Sequence, residues 1–179
     1  MQSSEALEKL KAGNLNYLNL NSCFGDVSAE RRLFTSKNGQ KPYAVIVACS
    51  DSRVIPECIF SAGIGDLFVV RVAGNVIDNI QLGSIEYATE HLGCKLVVVL
   101  GHTKCGAVGA ALKKNSGYVK FITDEIRKAV GENTDEVKAS ILNIKRSVAK
   151  IRQSLSGVKD LQIIGALYNT ESGSVDFTL

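Results

Sequence analysis

The sequence predicts an α/β fold: a single, mostly parallel β-sheet of four to five strands flanked by helices, with an N-terminal helical arm. Residues 43–48 and 96–100 are continuous apolar runs, too uniformly hydrophobic for strands with one wet face, and read as parallel strands buried on both sides. Similar runs at 67–73 and 161–168 alternate with helical patterns, the βαβ order of a sheet covered on both faces. A length of 179 residues, 45% of them hydrophobic and 22% charged, suits one globular domain with a real core. Residues 1–179 therefore read as a single domain.

Each element has a local reason. Residues 5–20 place Ala6, Leu7, Leu10, Leu15, Tyr17, Leu18 and Leu20 among polar residues, a loosely amphipathic helix that Gly13 weakens. That helix, part of an arm over 1–35, packs either on its own domain or on a neighbouring subunit. Polar residues 35–42 lead through Pro42 into the first strand. Pro56 suits the first turn of a short helix over 56–60, and 63–66 form a turn before the second strand, which Gly74-Asn75 ends. A helix over 80–92 stops at Gly93. After the third strand, small apolar residues 105–112 read as a tightly packed helix. Two helical stretches between 120 and 155 are separated at 131–134, with Thr134 as N-cap of the second. The fourth strand at 161–168 and a short edge strand at 174–178 complete the chain.

Composition excludes several classes. A net charge of +3 without any Lys/Arg run, and no Trp, argues against a nucleic-acid or membrane surface. No apolar run approaches the roughly 18 residues of a membrane helix, and Met1–Glu5 lacks the features of a secretory signal, so the expected location is the cytoplasm. Five cysteines, an odd number unevenly spaced, fit thiols and metal ligands better than a disulfide framework.

The chemistry lies where the first and third strands end. Cys49 follows the first run, and His102 and Cys105 follow the third, giving the ligand types of a zinc site. Three protein ligands leave a tetrahedral position open, the catalytic rather than the closed structural pattern. Buried cysteines and a satisfied histidine are the alternative. If the His-x-x-Cys stretch starts a helix, its two ligands share one side of the first turn. If the segment after Cys49 is extended, Asp51 and Arg53 face the same way as Cys49, and Arg53 can grip Asp51 bidentately beside the metal.

Cys-Ser-Asp-Ser-Arg at 49–53 and Gly-His-Thr-Lys-Cys-Gly at 101–106 resemble the paired signatures of the β-class carbonic anhydrases. The likeness extends to Gly13-Asn14, residues 71–75, Ile85-Glu86-Tyr87 and residues 165–168. It implies a zinc enzyme interconverting CO2 and bicarbonate. Cys49, His102 and Cys105 would be the ligands, and hydroxide generated at the metal would be oriented by an Asp51/Arg53 dyad. It further implies a plant-like substrate pocket. Gln40 stands nine residues before the first Cys, Phe68 nineteen after it, and Tyr87 supplies a further aromatic, with Gly106 beside the second Cys. The other pocket type of the family carries a Trp where Ile46 stands. In the family some pocket residues come from a partner subunit, which implies a dimer or a larger assembly such as a tetramer. Asp51 is also a candidate fourth ligand in an inactive state.

Rival readings use the same residues: a hydrolase of CS2 or COS, or a non-catalytic zinc or thiol redox-sensing protein. His91 reads as a surface histidine, Lys104 as solvent-facing, and Cys23, Cys58 and Cys94 as inert thiols.

Overall fold

The computed structural model describes residues 1–19, 25–113 and 116–179. Strand β1 (Ala44–Ala48) is buried at every position and lies between β2 (Leu67–Arg71) and β3 (Leu96–His102), parallel to both. Strand β4 (Gln162–Tyr168) pairs parallel with β3, and β5 (Val175–Asp176) closes the sheet antiparallel in the order β2-β1-β3-β4-β5. The continuous apolar runs are explained by helices on both sides.

Strand alternation sorts the core into layers. Ile46, Ala48, Val98 and Leu100 face helices α1 (Ser3–Asn19) and α3 (Pro56–Ile59), meeting Ala6, Leu10, Ile59 and Phe60. Val45, Val47, Val97 and Val99 face the other way, against Ile85 of α4 (Asn79–Glu86) and Ile144, Val148 and Ile151 of α7 (Glu136–Ser154). Helices α5 (Gly106–Ala111) and α6 (Val119–Val130) form a third cluster around Cys49 and Cys105. The chain thus leaves β1 over one face and β3 over the other. The crevice between their carboxyl ends is the topological switch point where ligands gather in open α/β sheets.

The first helix packs on its own domain through Ala6 and Leu10, both fully covered. Gly13 and Asn14 fasten it. A Cβ at Gly13 would lie 1.9 Å from the Phe60 carbonyl oxygen. The buried Asn14 amide donates to Ile59 O at 3.2 Å and Gly173 O at 3.0 Å, and its oxygen accepts from Val175 N at 3.0 Å. Gly13 is therefore a contact point rather than a weakness. Asn14→Ala should cost about 2–4 kcal/mol, since it strands several buried backbone groups. Gly13→Ala should cost at least as much, because helix and backbone must move apart. Urea unfolding midpoints of the two variants check both.

Several boundaries differ from the sequence expectation. Polar residues 35–38 are the end of a second helix, α2 (Ala29–Asn38), capped by the Ser28 hydroxyl. It buries no residue, so no apolar face marks it, and Leu33 and Phe34 remain exposed. The second strand ends at Arg71, and 73–75 form a tight turn. The helix expected at 80–92 is α4, begun by an Asp78/Gln81 capping box and continued as a wider turn over Tyr87–His91. The N-cap of α7 is Asp135 rather than Thr134: its carboxylate accepts from Lys138 N, the N3 amide that a cap must reach. Cys58 and Cys94 are buried, and the Cys94 thiol is pushed up to about 11 by that burial. Cys23 lies outside the described residues.

Candidate metal centre

The pairing of β1 with β3 sets Ala48 against Leu100, so Cys49 leaves the sheet just below His102, the last residue of β3. Their ligand atoms and the Cys105 sulfur all lie within 4.8 Å of one another, and all three residues are buried. The expectation that His102 and Cys105 share a first helical turn is corrected. His102 closes a strand, Cys105 is the residue before α5, and Lys104 between them at φ 55° reverses the chain so that both point inward. A left-handed residue turns the chain more sharply than a helical turn could from a strand end.

The imidazole is prepared for coordination. His102 Nδ1 donates to Thr103 O at 2.9 Å, which leaves the lone pair on Nε2. That buried Nε2 has no hydrogen-bond partner among the described residues. Orphaned buried polar atoms are costly unless something bonds them. The Cys49 thiol is held well below its usual value, first by a hydrogen bond from Cys105 and also by the amides of Gly74 and Asp51, against the effect of burial. Cys105 is pushed up by its bond to the Cys49 sulfur and by burial. Two thiolates and an imidazole lone pair converging on one point fit zinc.

Asp51 and Arg53 stand beside this cluster, but not on an extended strand. Val54 N donates to Asp51 O at 3.0 Å, closing a turn, and Arg53 N donates to Asp51 Oδ1 at 2.9 Å. The carboxylate folds the loop around itself, which an extended run would not allow. Arg53 then grips Asp51 at both oxygens, with Nε to Oδ1 at 2.9 Å and Nη2 to Oδ2 at 2.7 Å. This grip holds the Asp51 carboxyl well below the usual carboxylate range. Arg53 Nη2 also donates to Lys104 O at 3.0 Å, tying the two ligand loops together. Asp51 Oδ2 is 3.9 Å from His102 Nε2, so the carboxylate borders the position the three ligands leave open.

Other residues brace the ligands, and sequence reasoning missed them. Arg71, at the end of β2, donates to Cys49 O at 3.0 Å and Asp51 O at 2.8 Å, clamping the first ligand loop from behind. Thr103 is bound to Thr170 through Thr170 N at 3.0 Å and hydroxyl to hydroxyl at 3.0 Å, bracing the second. Lys104 points outward to Glu171 at 3.2 Å. The run at 71–75 stood out only through resemblance. Backbone-directed bonds leave no spacing signature.

The pocket residues are not gathered around this cluster. Gly106 is adjacent, opening α5. Phe68 pairs with Val45, four residues before Cys49, which is about 13 Å down the strand. Its ring lies 6.2 Å from that of Tyr87, which is 48% exposed. Gln40 is exposed and shares a surface groove with Leu67. Phe68 packs with the layer of α4 and α7, Leu67 with the layer of α1 and α3, and among the described residues β2 pairs only with β1. His91 is exposed against the Tyr87 ring.

Fold and site together define an α/β protein with a candidate metal centre at the switch point of a mostly parallel sheet. A family profile described as carbonic anhydrase matches residues 44–175. A carbonic anhydrase of Mycolicibacterium smegmatis is 37% identical over 190 residues, covering 96% of this chain and 91% of that protein. Carbonic anhydrase 2 of Mycobacterium tuberculosis is 40% identical over 154 residues, covering 75% and 73%. The crystal structure of the β-carbonic anhydrase CafA of Aspergillus fumigatus superposes with a TM-score of 0.73 at 30% identity, covering 83% of this chain and 80% of that one. The chain belongs to the β-class carbonic anhydrases. These are zinc enzymes, and the Cys49, His102 and Cys105 donor set fits that metal.

Proposed function

We propose that the protein catalyses the reversible hydration of CO2 to bicarbonate and a proton. The observation that carries this reading is the three-ligand cluster with Arg53-held Asp51 at its open side. Zinc, when bound, acidifies water and so supplies a nucleophile near neutral pH. Asp51 Oδ2 accepts the hydrogen bond of the attacking oxygen and so aims its lone pair at carbon. Arg53 holds both Asp51 oxygens and keeps the carboxylate from swinging onto the ligand cluster, where it would shut the site. Gly106, with nothing within 4 Å of where a Cβ would stand, leaves room beside the ligands for a small substrate.

Gln40, Phe68 and Tyr87 are assigned to the active site of a second copy. Phe68 stands too far along β2 to wall its own centre, the Tyr87 ring lies beside it and Gln40 shares a groove with Leu67, and among the described residues β2 is an edge strand whose open backbone needs a partner. The exposed Leu33 and Phe34 of α2 belong to the same assembly surface. Light scattering should find a dimer or tetramer, and a monomer retaining full activity would refute this. Among the described residues no helix is long and apolar enough to cross a membrane. Cytoplasmic residence is the working assignment.

Stopped-flow CO2 hydration by zinc-loaded protein is the direct test, with CS2 and COS as competing substrates. Two thiolates and a neutral imidazole cancel the charge of zinc, so water should be acidified less than at a three-His centre, where its pKa is about 7. Activity is therefore expected to rise between about pH 7 and 9 and to be poor in acid. A flat profile with zinc retained would refute this.

A further inference from the structure

Helix α7 carries three polar side chains on one stripe, Asn143, Ser147 and Lys150, where the rest of the buried face is largely apolar. They meet three carbonyls of the segment that follows β2. Asn143 Nδ2 donates to Gly74 O at 2.7 Å, Ser147 Oγ to Asn75 O at 3.3 Å, and Lys150 Nζ to Ile77 O at 2.6 Å. Asn143 is only 2% exposed. Gly74 donates its own N–H to the Cys49 sulfur at 3.2 Å in a buried setting. It sits at φ 68°, and a Cβ there would lie 2.8 Å from Ile126 Cδ1 and 3.1 Å from the Ala107 Cβ. With no side chain to anchor it, Gly74 is located by what grips its backbone, and the shortest of those bonds comes from Asn143.

We propose that Asn143 is a positioning residue of the metal centre. By bonding the Gly74 carbonyl it keeps the Gly74 N–H on the Cys49 sulfur, and that N–H···S bond withdraws charge the thiolate would otherwise give to the metal. The site has a specific need for this. Two thiolates already neutralise the metal, and a donor aimed at one sulfur restores part of its pull on water. Partners one step removed from the metal commonly change its affinity or activity about 10–100-fold when lost.

The test uses the whole protein loaded with cobalt(II), whose thiolate charge-transfer absorption reports the charge on sulfur. Asn143→Ala and the volume-filling Asn143→Leu should both move this band to lower energy. In the nitrogen-15-labelled zinc protein, the Gly74 amide proton should exchange faster. For CO2 hydration, kcat should fall about tenfold with KM little changed. Ile151→Val, on the same helix but within the sheet-facing core, should lower thermal stability and leave the band in place. A wild-type band and wild-type Gly74 exchange in a folded Asn143 variant would overturn the proposal. So would an equal shift from Ile151→Val. The proposal rests on Cys49 being a metal ligand. A wild-type cobalt protein with no thiolate band would remove that reading instead, a result distinct from a band that Asn143 variants leave unmoved.

Discussion

Asp51→Asn is expected to keep its zinc and lose CO2 hydration by roughly 10²–10⁴-fold, the range over which a positioned proton acceptor contributes to a reaction. None of the three ligands is touched, so metal analysis should match the wild type. What changes is the side facing the open position. An amide offers one acceptor in place of two, and its NH2 group meets the donors of Arg53. Arg53→Ala should be impaired for a different reason. Asp51 keeps its charge but loses the grip at 2.9 and 2.7 Å and is released toward the metal. Wild-type rates in either variant would reject the dyad. The pair also leaves a mark on stability. The native carboxyl is held below the ordinary Asp value of about 3.9, so its contribution is complete above that pH and drains away as pH falls toward the lowered native value. Asp51→Asn should show a shallower acid-unfolding profile.

Cys49→Ala is expected to weaken zinc binding by on the order of 3–5 kcal/mol, or roughly 10²–10⁴-fold, about a third of what a complete small-protein zinc site supplies. Activity should fall to background at ordinary zinc concentrations. Cys49 is the more informative of the two sulfurs to remove. Its sulfur accepts from the Gly74 amide at 3.2 Å and the Asp51 amide at 3.4 Å. Competition with a chromophoric chelator measures the loss, and affinity within tenfold of the wild type would refute the assignment. Cys94→Ala is the control. That thiol donates to Pro42 O at 3.1 Å, away from the centre, and its removal should leave zinc binding unchanged.

The ligands were legible because cysteine and histidine are scarce and their chemistry is specific. Placed at the ends of two apolar runs, they needed only the assumption that those runs are neighbouring strands. The dyad was legible for the same reason, although its geometry was not. Asp51 and Arg53 meet through a turn closed by the carboxylate, and no periodicity rule distinguishes that from an extended segment. Helix α2 was not legible as a separate element because it buries nothing, so its sequence carries no stripe. The Asp78/Gln81 capping box was readable and overlooked. Arg71, Thr103 and Asn143 could not have been singled out by type or spacing, since each acts on backbone or hydroxyl groups that only the folded chain brings within reach.

By itself, the sequence determined the class of fold, the three residues of the candidate metal cluster and the charged pair beside them. Each of these follows from local hydrophobic pattern or from intrinsic side-chain chemistry. The tertiary structure alone decided how the cluster and the pair beside it are held: His102 by its own neighbour's carbonyl, Cys49 by amides from two loops, Arg53 by the carbonyl of Lys104. It also set Phe68 opposite Val45 rather than beside Cys49, with the Tyr87 ring 6.2 Å from it. Those outcomes depend on strand register and on the directions of individual N–H and C=O groups, which are settled only when distant segments pack.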